Sequence, residues 1–149
     1  MINEINIKPA TIDDLMPIAR IETACFTNPW WTVNFQIEFN NPDTEIFIAV
    51  DTHGEIAGFI CITAVLDEFT IADLAVLPQM RRCGIARKLM QTAFDFAKSK
   101  NAASVTLEVR VSNSAAIGLY EGFGFKKVGL RQNYYRNPQE DAVLMTVFL

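Results

Sequence analysis

The chain has 149 residues, a formal net charge of −4 and a sequence pI near 5.0. Half of its residues are hydrophobic and a fifth are charged, which is typical of a globular domain and excludes a disordered segment. The acidic balance argues against nucleic-acid binding and suits cationic acceptors such as amines. We therefore expect one domain over residues 1–149.

The cysteine and histidine content argues against a metal site or a disulfide framework. Cys25, Cys61 and Cys83 are odd in number and far apart, with no C-x-x-C pair, and the single His53 lies in a turn-like segment. The first residues lack a charged segment followed by an apolar one, so we expect no signal peptide. No apolar run approaches the roughly 20 residues that span a bilayer, so we expect a cytoplasmic protein without membrane attachment.

Two helices are predicted near the N-terminus. The segment 11–14 resembles a helix start, with a capping hydroxyl and two acids in the first turn. Pro17 lies inside this first helix, so we expect a late start or a kink there. Asn28-Pro29-Trp30 breaks the chain, and Thr32 is expected to cap a short second helix.

Hydrophobic periodicity predicts the remaining elements. The predicted strands are residues 5–7, 45–51, 55–65, 69–77, 104–111, 125–130 and 142–148. The later helices are predicted at residues 84–99 and 115–121. The resulting order, β-α-α-β-β-β-α-β-α-β-β, predicts a mixed α/β sheet with helices on both faces, because hairpins precede strand–helix–strand units.

A glycine turn joins the strand at 69–77 to the helix at 84–99. Its sequence is Arg81-Arg82-Cys83-Gly84-Ile85-Ala86, followed by Arg87. Such a turn presents backbone N–H groups at a helix N-terminus, where partial positive charge collects. The small Gly84 and Ala86 allow an anion to approach the backbone, so the turn suits a pyrophosphate. A glycine at a strand–helix junction also serves turns that bind no ligand, and local physics leaves both interpretations open.

A single carboxylate interrupts the apolar strand at 104–111. Alternation places Glu108 on one face with Thr106 and Arg110, opposite three apolar side chains. Because burial of an unpaired carboxylate is costly, Glu108 either pairs with Arg110, lies at a wet edge, or serves a chemical role.

Both segments resemble motifs of the GNAT acetyltransferases. Arg81-x-x-Gly84-x-Ala86 is similar to the Q/R-x-x-G-x-G/A motif of that superfamily, with Ala86 replacing a second glycine. The run Leu-Glu-Val-Arg-Val-Ser-Asn-Ser-Ala-Ala-Ile-Gly-Leu-Tyr-Glu at 107–121 resembles the RimI-type protein N-terminal acetyltransferases more closely.

The likeness to RimI-type enzymes continues at 131–135 and 140–145, so it covers residues 69–149 in detail. Residues 1–68 match in outline, through the Pro-Trp at residues 29–30. The sequence departs from the pattern at Trp31, where a polar helix cap is usual, and at Gly118, which is unfavourable inside a helix.

The resemblance implies the GNAT fold, an α/β (α+β) architecture. Its mixed sheet of about six to seven strands is flanked by about four helices, with a splayed bulge in the cofactor-binding strand. It also implies acetyl-CoA as co-substrate and no metal. The implied acetyl-CoA contacts are Leu74, Ala75, Val76, Arg81, Arg82, Cys83, Gly84, Ile85, Ala86, Arg87 and Asn113.

The resemblance also implies how the residues act. Glu108 is expected to be the general base, acting through water, and Tyr120 the acid that protonates the departing CoA thiolate. The expected acceptor is the N-terminal alanine of a small-subunit ribosomal protein. Tyr134, Tyr135 and the loop 26–31 are expected to line the peptide pocket, with core or turn packing as the alternative.

The chemistry of amines is consistent with that acceptor. Deprotonating an α-amine of pKa 7.7–8 at neutral pH costs about 1 kcal/mol, whereas a lysine near 10.4 costs about 4–5 kcal/mol. Backbone N–H groups near 74–76 are expected to stabilise the oxyanion, and transfer is expected to be direct.

Two alternatives remain open at this point. One is an acetyltransferase acting on lysine or small amines, and the other is a non-catalytic acyl-CoA-binding subunit. The oligomeric state is expected to be a monomer or weak dimer.

Overall fold

The computed structural model describes residues 4–149, whose strands form one seven-stranded sheet. The strands are β1 (Asn6–Pro9), β2 (Thr44–Val50), β3 (Ile56–Val65), β4 (Glu68–Val76), β5 (Ser104–Arg110), β6 (Lys126–Tyr135) and β7 (Glu140–Phe148). The helices are α1 (Leu15–Cys25), α2 (Thr32–Phe39), α3 (Ile85–Ser99) and α4 (Ser114–Gly122), and short 3-10 turns lie at Ile12–Asp14 and Pro78–Met80. This order confirms the predicted succession of strands and helices.

The strand order in the sheet is β1-β2-β3-β4-β5-β7-β6. All neighbouring pairs are antiparallel except β4 and β5, which run parallel. The parallel pairing covers only residues 68–70 against 104–106. Beyond this short ladder the two central strands separate, and the sheet opens between them.

Helices cover both faces of the sheet. One face carries α3, whose buried side chains are Ile85, Leu89, Met90, Ala93, Phe94 and Ala97. They recur at helical spacing and belong to one buried cluster with side chains of β2, β3, β4, β5 and β7. The other face carries α1 and α2, and Phe35 of α2 is fully buried there, with its ring 5.7 Å from that of Phe59. Burial of each large apolar side chain, such as Leu, Ile, Met or Phe, stabilises the fold by about 1.5–3 kcal/mol.

The N-terminal helices differ in detail from the sequence prediction. α1 starts at Leu15 after the 3-10 turn, so the expected late start is confirmed, and Pro17 falls in the first turn, where a missing N–H is tolerated. The prediction that Thr32 caps α2 was wrong, because Trp31 is the N-cap residue. The Asn34 side chain accepts a hydrogen bond from the Trp31 N–H at 2.7 Å. This bond gives the N-cap N–H an acceptor at the start of the helix.

Strand β6 is longer than predicted. It continues to Tyr135, and its pairing with β7 is irregular between Arg131 and Tyr135. Asn133 has a φ of 55° in this stretch, a left-handed conformation that asparagine tolerates better than most residues. The polar sequence there carries no alternation, so the strand could not be identified from the pattern. No helix within residues 4–149 is both long and apolar enough to cross a membrane.

Candidate active site

The opening between β4 and β5 begins at a bulge in β4. Cys61 of β3 lies opposite Asp73, while the next residue, Ile62, lies opposite Ile71, so Ala72 is an extra residue. Such a bulge bends its strand and raises the local twist. Past Thr70, β4 has no ladder partner on β5 within the described chain. The predicted splayed bulge is therefore confirmed, a little earlier than residues 74–76.

The glycine turn follows the end of β4 and leads into α3. Gly84 is the N-cap of α3 with a φ of 78°, and Arg82 also has a positive φ of 63°. A Cβ at Gly84 would meet no atom within 4 Å, so backbone conformation rather than space favours glycine there. Left-handed residues in a turn expose successive N–H groups that can hold an anion, and the α3 dipole adds positive potential. The turn therefore fits a pyrophosphate.

The side chains of the turn divide into exposed and anchored groups. Arg82 and Cys83 are exposed, whereas Ile85 is buried in the core and offers only its backbone. The Arg81 Nε donates to the Val76 carbonyl at 3.2 Å and ties the turn to β4. The Arg87 guanidinium lies 5.9 Å from the Phe123 ring centroid. The Arg81 hydrogen bond therefore connects the predicted cofactor contacts in the turn with those on β4.

Glu108 projects from β5 on the face opposite the α3 core. Its partner is Arg131 of β6, with Nε and Oε2 3.2 Å apart, so the alternative of pairing with Arg110 was wrong. Arg110 pairs instead with Glu140 at 3.2 Å. The Arg131 side chain is 55 % exposed, whereas Glu108 Oε2 is shielded from solvent. Within the described residues no group donates a hydrogen bond to this oxygen, so it can accept one from an incoming group.

Tyr120 lies on α4, and its side chain points into the core. The ring is buried, 5.8 Å from that of Phe125, which confirms a packing role. Burial is the main cause that raises the pKa of the Tyr120 phenol. The phenol therefore stays protonated at neutral pH, as a proton donor must.

Asn113 caps the N-terminus of α4. Its Oδ1 accepts a hydrogen bond from the Ala116 N–H at 3.1 Å, which confirms the capping interpretation. The side chain is exposed, so its amide nitrogen can still donate to a ligand.

Two adjacent tyrosines stand beside Glu108 at the end of β6. The Tyr134 and Tyr135 rings meet edge to face at 5.1 Å, and the Arg110 guanidinium lies 4.5 Å from the Tyr135 ring centroid. Burial and the nearby Glu108 charge raise the pKa of Tyr135 to about 12. Tyr134 is exposed and Tyr135 half-buried, so neither is a core aromatic.

The loop between α1 and α2 contacts the β6–β7 turn, a contact that the sequence did not indicate. The Asn28 Nδ2 donates to the Arg136 carbonyl, and the Asn28 Oδ1 accepts from Asn137 Nδ2 at 3.1 Å. We call this contact the asparagine clasp. More than a hundred residues separate its two sides, so no local pattern could have revealed it.

Sequence reasoning also missed two acids next to the bulge. Glu22 of α1 is 2 % exposed and accepts a hydrogen bond from the Trp30 N–H at 3.0 Å. Burial and the adjacent Glu22 raise the pKa of Asp73 to about 9. The sequence did contain a signal for these two acids, because each is a charged residue within an otherwise apolar stretch. Within residues 4–149, no group of three or more His, Cys, Asp or Glu side chains could hold a metal ion.

Residues 15–125 match the model of the acetyltransferase (GNAT) family. This match spans well over half of the chain and contains the bulged strand, the glycine turn, Glu108 and Tyr120. The chain belongs to the GNAT acetyltransferase family. The predicted family, fold and enzyme class are therefore confirmed, and acetyl-CoA is the acetyl donor of GNAT enzymes.

Known GNAT proteins resemble this chain over almost its whole length. The ribosomal protein bS18-alanine N-acetyltransferase of Escherichia coli K12 is 35% identical over 136 residues, which are 90% of each chain. The crystal structure of the Escherichia coli ribosomal-protein-S18-alanine N-acetyltransferase superposes with a TM-score of 0.91 and 33% identity, covering 97% of this chain and 94% of that one. A chain of the NatC complex, solved with Gag peptide and CoA, gives a TM-score of 0.88 and 30% identity over 99% of both chains.

Proposed function

We propose that this GNAT enzyme transfers the acetyl group of acetyl-CoA directly to the N-terminal α-amine of an alanine in ribosomal protein bS18. The observation that carries the proposal is the placement of Glu108 and Tyr120 on the two segments that flank the opening after β4, within the family motif. The 35% identity to the bS18-alanine N-acetyltransferase of Escherichia coli supports the choice of acceptor.

Acetyl-CoA binding is assigned to the bulged strand and the glycine turn. The pantetheine arm would take the place of the missing ladder partner of β4 along Leu74, Ala75 and Val76. The pyrophosphate would lie on the N–H groups of residues 82–86, where the N-terminus of α3 favours negative charge. We assign Arg81, Arg87 and Asn113 to the same cofactor as the remaining predicted contacts.

The acceptor side of the reaction is assigned to Glu108. This carboxylate would draw the proton from the acceptor amine through water, which leaves a neutral nitrogen able to attack the thioester. Deprotonating an α-amine costs about 1 kcal/mol at neutral pH, so Glu108 need not be an unusually strong base. As the amine arrives, its positive charge replaces that of Arg131 beside Glu108.

The leaving group and the oxyanion are assigned to other groups. Tyr120 keeps its proton at neutral pH and would donate it to the departing thiolate as the C–S bond breaks. Backbone N–H groups of β4 just after the bulge would stabilise the oxyanion, because they have no strand partner on the β5 side.

The asparagine clasp supports an acceptor that enters by its end. It joins the α1–α2 loop to the β6–β7 turn, next to the Tyr134–Tyr135 pair. We infer that a chain terminus could enter with the asparagine clasp intact, whereas an internal segment would require its two hydrogen bonds to break.

A direct assay with three acceptor classes tests the proposal. A peptide that begins with Ala and carries the bS18 N-terminal sequence is compared with an Nα-blocked lysine peptide and with free polyamines. We expect kcat/KM for the alanine peptide to exceed that for the other acceptors by about 100-fold or more, since deprotonating a lysine alone costs several kcal/mol. A preference for lysine or polyamines would remove the assigned acceptor. Binding of acetyl-CoA without transfer to any of them would indicate a non-catalytic subunit.

The proposal extends to the domain organisation, oligomeric state and cellular location of the enzyme. We propose that it works as a single domain over residues 1–149, as a monomer or weak dimer, in the cytoplasm where ribosomal proteins are made. It would act without metal and without binding nucleic acid or membranes. The single sheet and the sequence pI near 5.0 support these points.

A further inference from the structure

Glu22 of α1 and Asp73 of β4 form a buried pair of acids beside the bulge. Glu22 is 2 % exposed, and it lies close enough to Asp73 for its carboxyl group to act on the pKa of Asp73. Glu22 Oε1 and Asp73 Oδ2 are both shielded from solvent, and within residues 4–149 no group donates a hydrogen bond to either of them.

Such an arrangement is stable with one proton between the two groups. Two ionised carboxylates in contact repel each other, and each would also lose its hydration. One shared hydrogen removes both costs, because the protonated acid becomes a donor to the ionised one. Burial and the neighbouring Glu22 raise the pKa of Asp73 to about 9, which agrees with this arrangement.

The surrounding groups supply no other counter-charge in direct contact. The titratable side chains around the pair are Cys25, Glu38, Cys61, Arg81 and Tyr120. Burial raises the pKa of both thiols and of the Tyr120 phenol, so these three are neutral at pH 7. The Arg81 Nε donates to the Val76 carbonyl, the Arg81 guanidinium lies near Cys25, and this cation is not among the charges that act on Asp73.

We propose that Asp73 is protonated in the working enzyme and donates its carboxyl hydrogen to Glu22, which in turn holds the acceptor loop 26–31. The inference rests on the proposed function, because it makes both acids positioning residues for the acceptor. Glu22 binds the Trp30 N–H through its second oxygen, and the Trp30 ring lies 5.2 Å from Phe35 of α2. A single hydrogen thus links the strand that binds the donor to the loop that receives the acceptor.

The pair predicts a loss of acceptor binding at alkaline pH. Asp73 is an acid whose folded pKa is raised above its ordinary value of 3.8, so its stabilising proton is bound throughout the neutral range and is lost as pH rises through about 9. Above that pH the two carboxylates repel each other, and the Trp30 contact weakens. Acceptor KM should therefore rise, while acetyl-CoA KM should change little.

Asp73→Asn isolates this effect, because the amide still donates to Glu22 but cannot ionise. Acceptor KM of the variant should match wild type within about twofold at pH 7. Between about pH 7 and about pH 10, the ratio of wild-type to variant KM should rise about fivefold to tenfold. Titration of the peptide itself cancels in this ratio. Asp95→Asn is the matched control, because Asp95 is exposed on α3 and bonds only to Gln91.

Carboxyl 13C NMR of the wild-type enzyme gives a test that needs neither a variant nor turnover. The Asp73 carboxyl resonance should be that of a protonated acid at pH 7, with a step near pH 9. An ionised Asp73 at pH 7, a KM ratio that stays flat, or an inactive Asp73→Asn would overturn the inference. These outcomes leave the proposed function intact, whereas failure to acetylate alanine peptides would overturn that function and leave the NMR result standing.

Discussion

At the scale of single residues, the proposed acid and the proposed base lie in different surroundings. Tyr120 is buried on α4, so its pKa is raised and it holds its proton. Glu108 lies on the opposite face of the sheet, partly exposed and 3.2 Å from the Arg131 guanidinium. The two proposed roles thus belong to residues on opposite faces of the sheet.

Replacing Glu108 by glutamine tests its role as base. Glu108→Gln keeps the shape of the side chain and removes its basicity, so kcat should fall about 10²–10⁴-fold. The Kd of acetyl-CoA should stay within about twofold, because the residue lies on the acceptor side. Steady-state kinetics and calorimetry measure the two quantities. Glu121→Gln is the control, since Glu121 is exposed on α4; equal kinetics of both variants would contradict the assignment.

Tyr120→Phe tests the acid. The ring remains packed against Phe125, so thermal unfolding should be nearly unchanged. Loss of the proton donor should lower kcat about 10²-fold, with the KM of acetyl-CoA little changed. A kcat equal to that of wild type would leave Tyr120 with a packing role alone.

At the scale of elements, one extra residue accompanies the opening of the sheet. The β4–β5 ladder ends at Thr70, the bulge at Ala72 follows, and residues 74–76 remain paired with β3 but have no partner on the β5 side. The glycine turn could be predicted from composition, because Gly84 and the helix period of α3 are local features. The exact place of the bulge could not, because it is set by the register of β4 against β3.

Gly118 is an element-scale test of helix propensity in α4. A Cβ at this exposed position would meet no atom within 4 Å outside its own helix backbone. Gly118→Ala should therefore raise the free energy of unfolding by about 0.5–1 kcal/mol. Chemical denaturation measures this change. A destabilised variant would contradict this expectation, because a Cβ at Gly118 meets no neighbouring atom that could oppose it.

The asparagine clasp gives a second test at this scale. Asn28→Ala removes both hydrogen bonds between the α1–α2 loop and the β6–β7 turn. We expect acceptor KM to rise about threefold to tenfold, while acetyl-CoA KM stays constant because the glycine turn is untouched. Asn40→Ala is a suitable comparison, since Asn40 bonds only within its own helix. A rise in acetyl-CoA KM alone would contradict the role of the clasp.

At the scale of the whole molecule, the sheet order brings distant segments to one opening. Alternation in β5 correctly separated Glu108 from the apolar face. Its partner Arg131 was not predictable, because that contact requires β6 to fold back beside β7, which itself pairs with β5. Glu22 and Asp73 were missed for a similar reason, since they meet only when α1 packs on β4. The resemblance to RimI-type enzymes, rather than periodicity, predicted the chemistry.

The most direct test of the central claim is mass spectrometry of protein N-termini in cells with and without this gene. We expect the N-terminal alanine of bS18 to be acetylated with the gene and unmodified without it. Reintroduction of the wild-type enzyme should restore the modification, and Glu108→Gln should not. If bS18 remained acetylated in cells that lack the gene, or if it were never acetylated in cells that carry it, the proposed function would be contradicted.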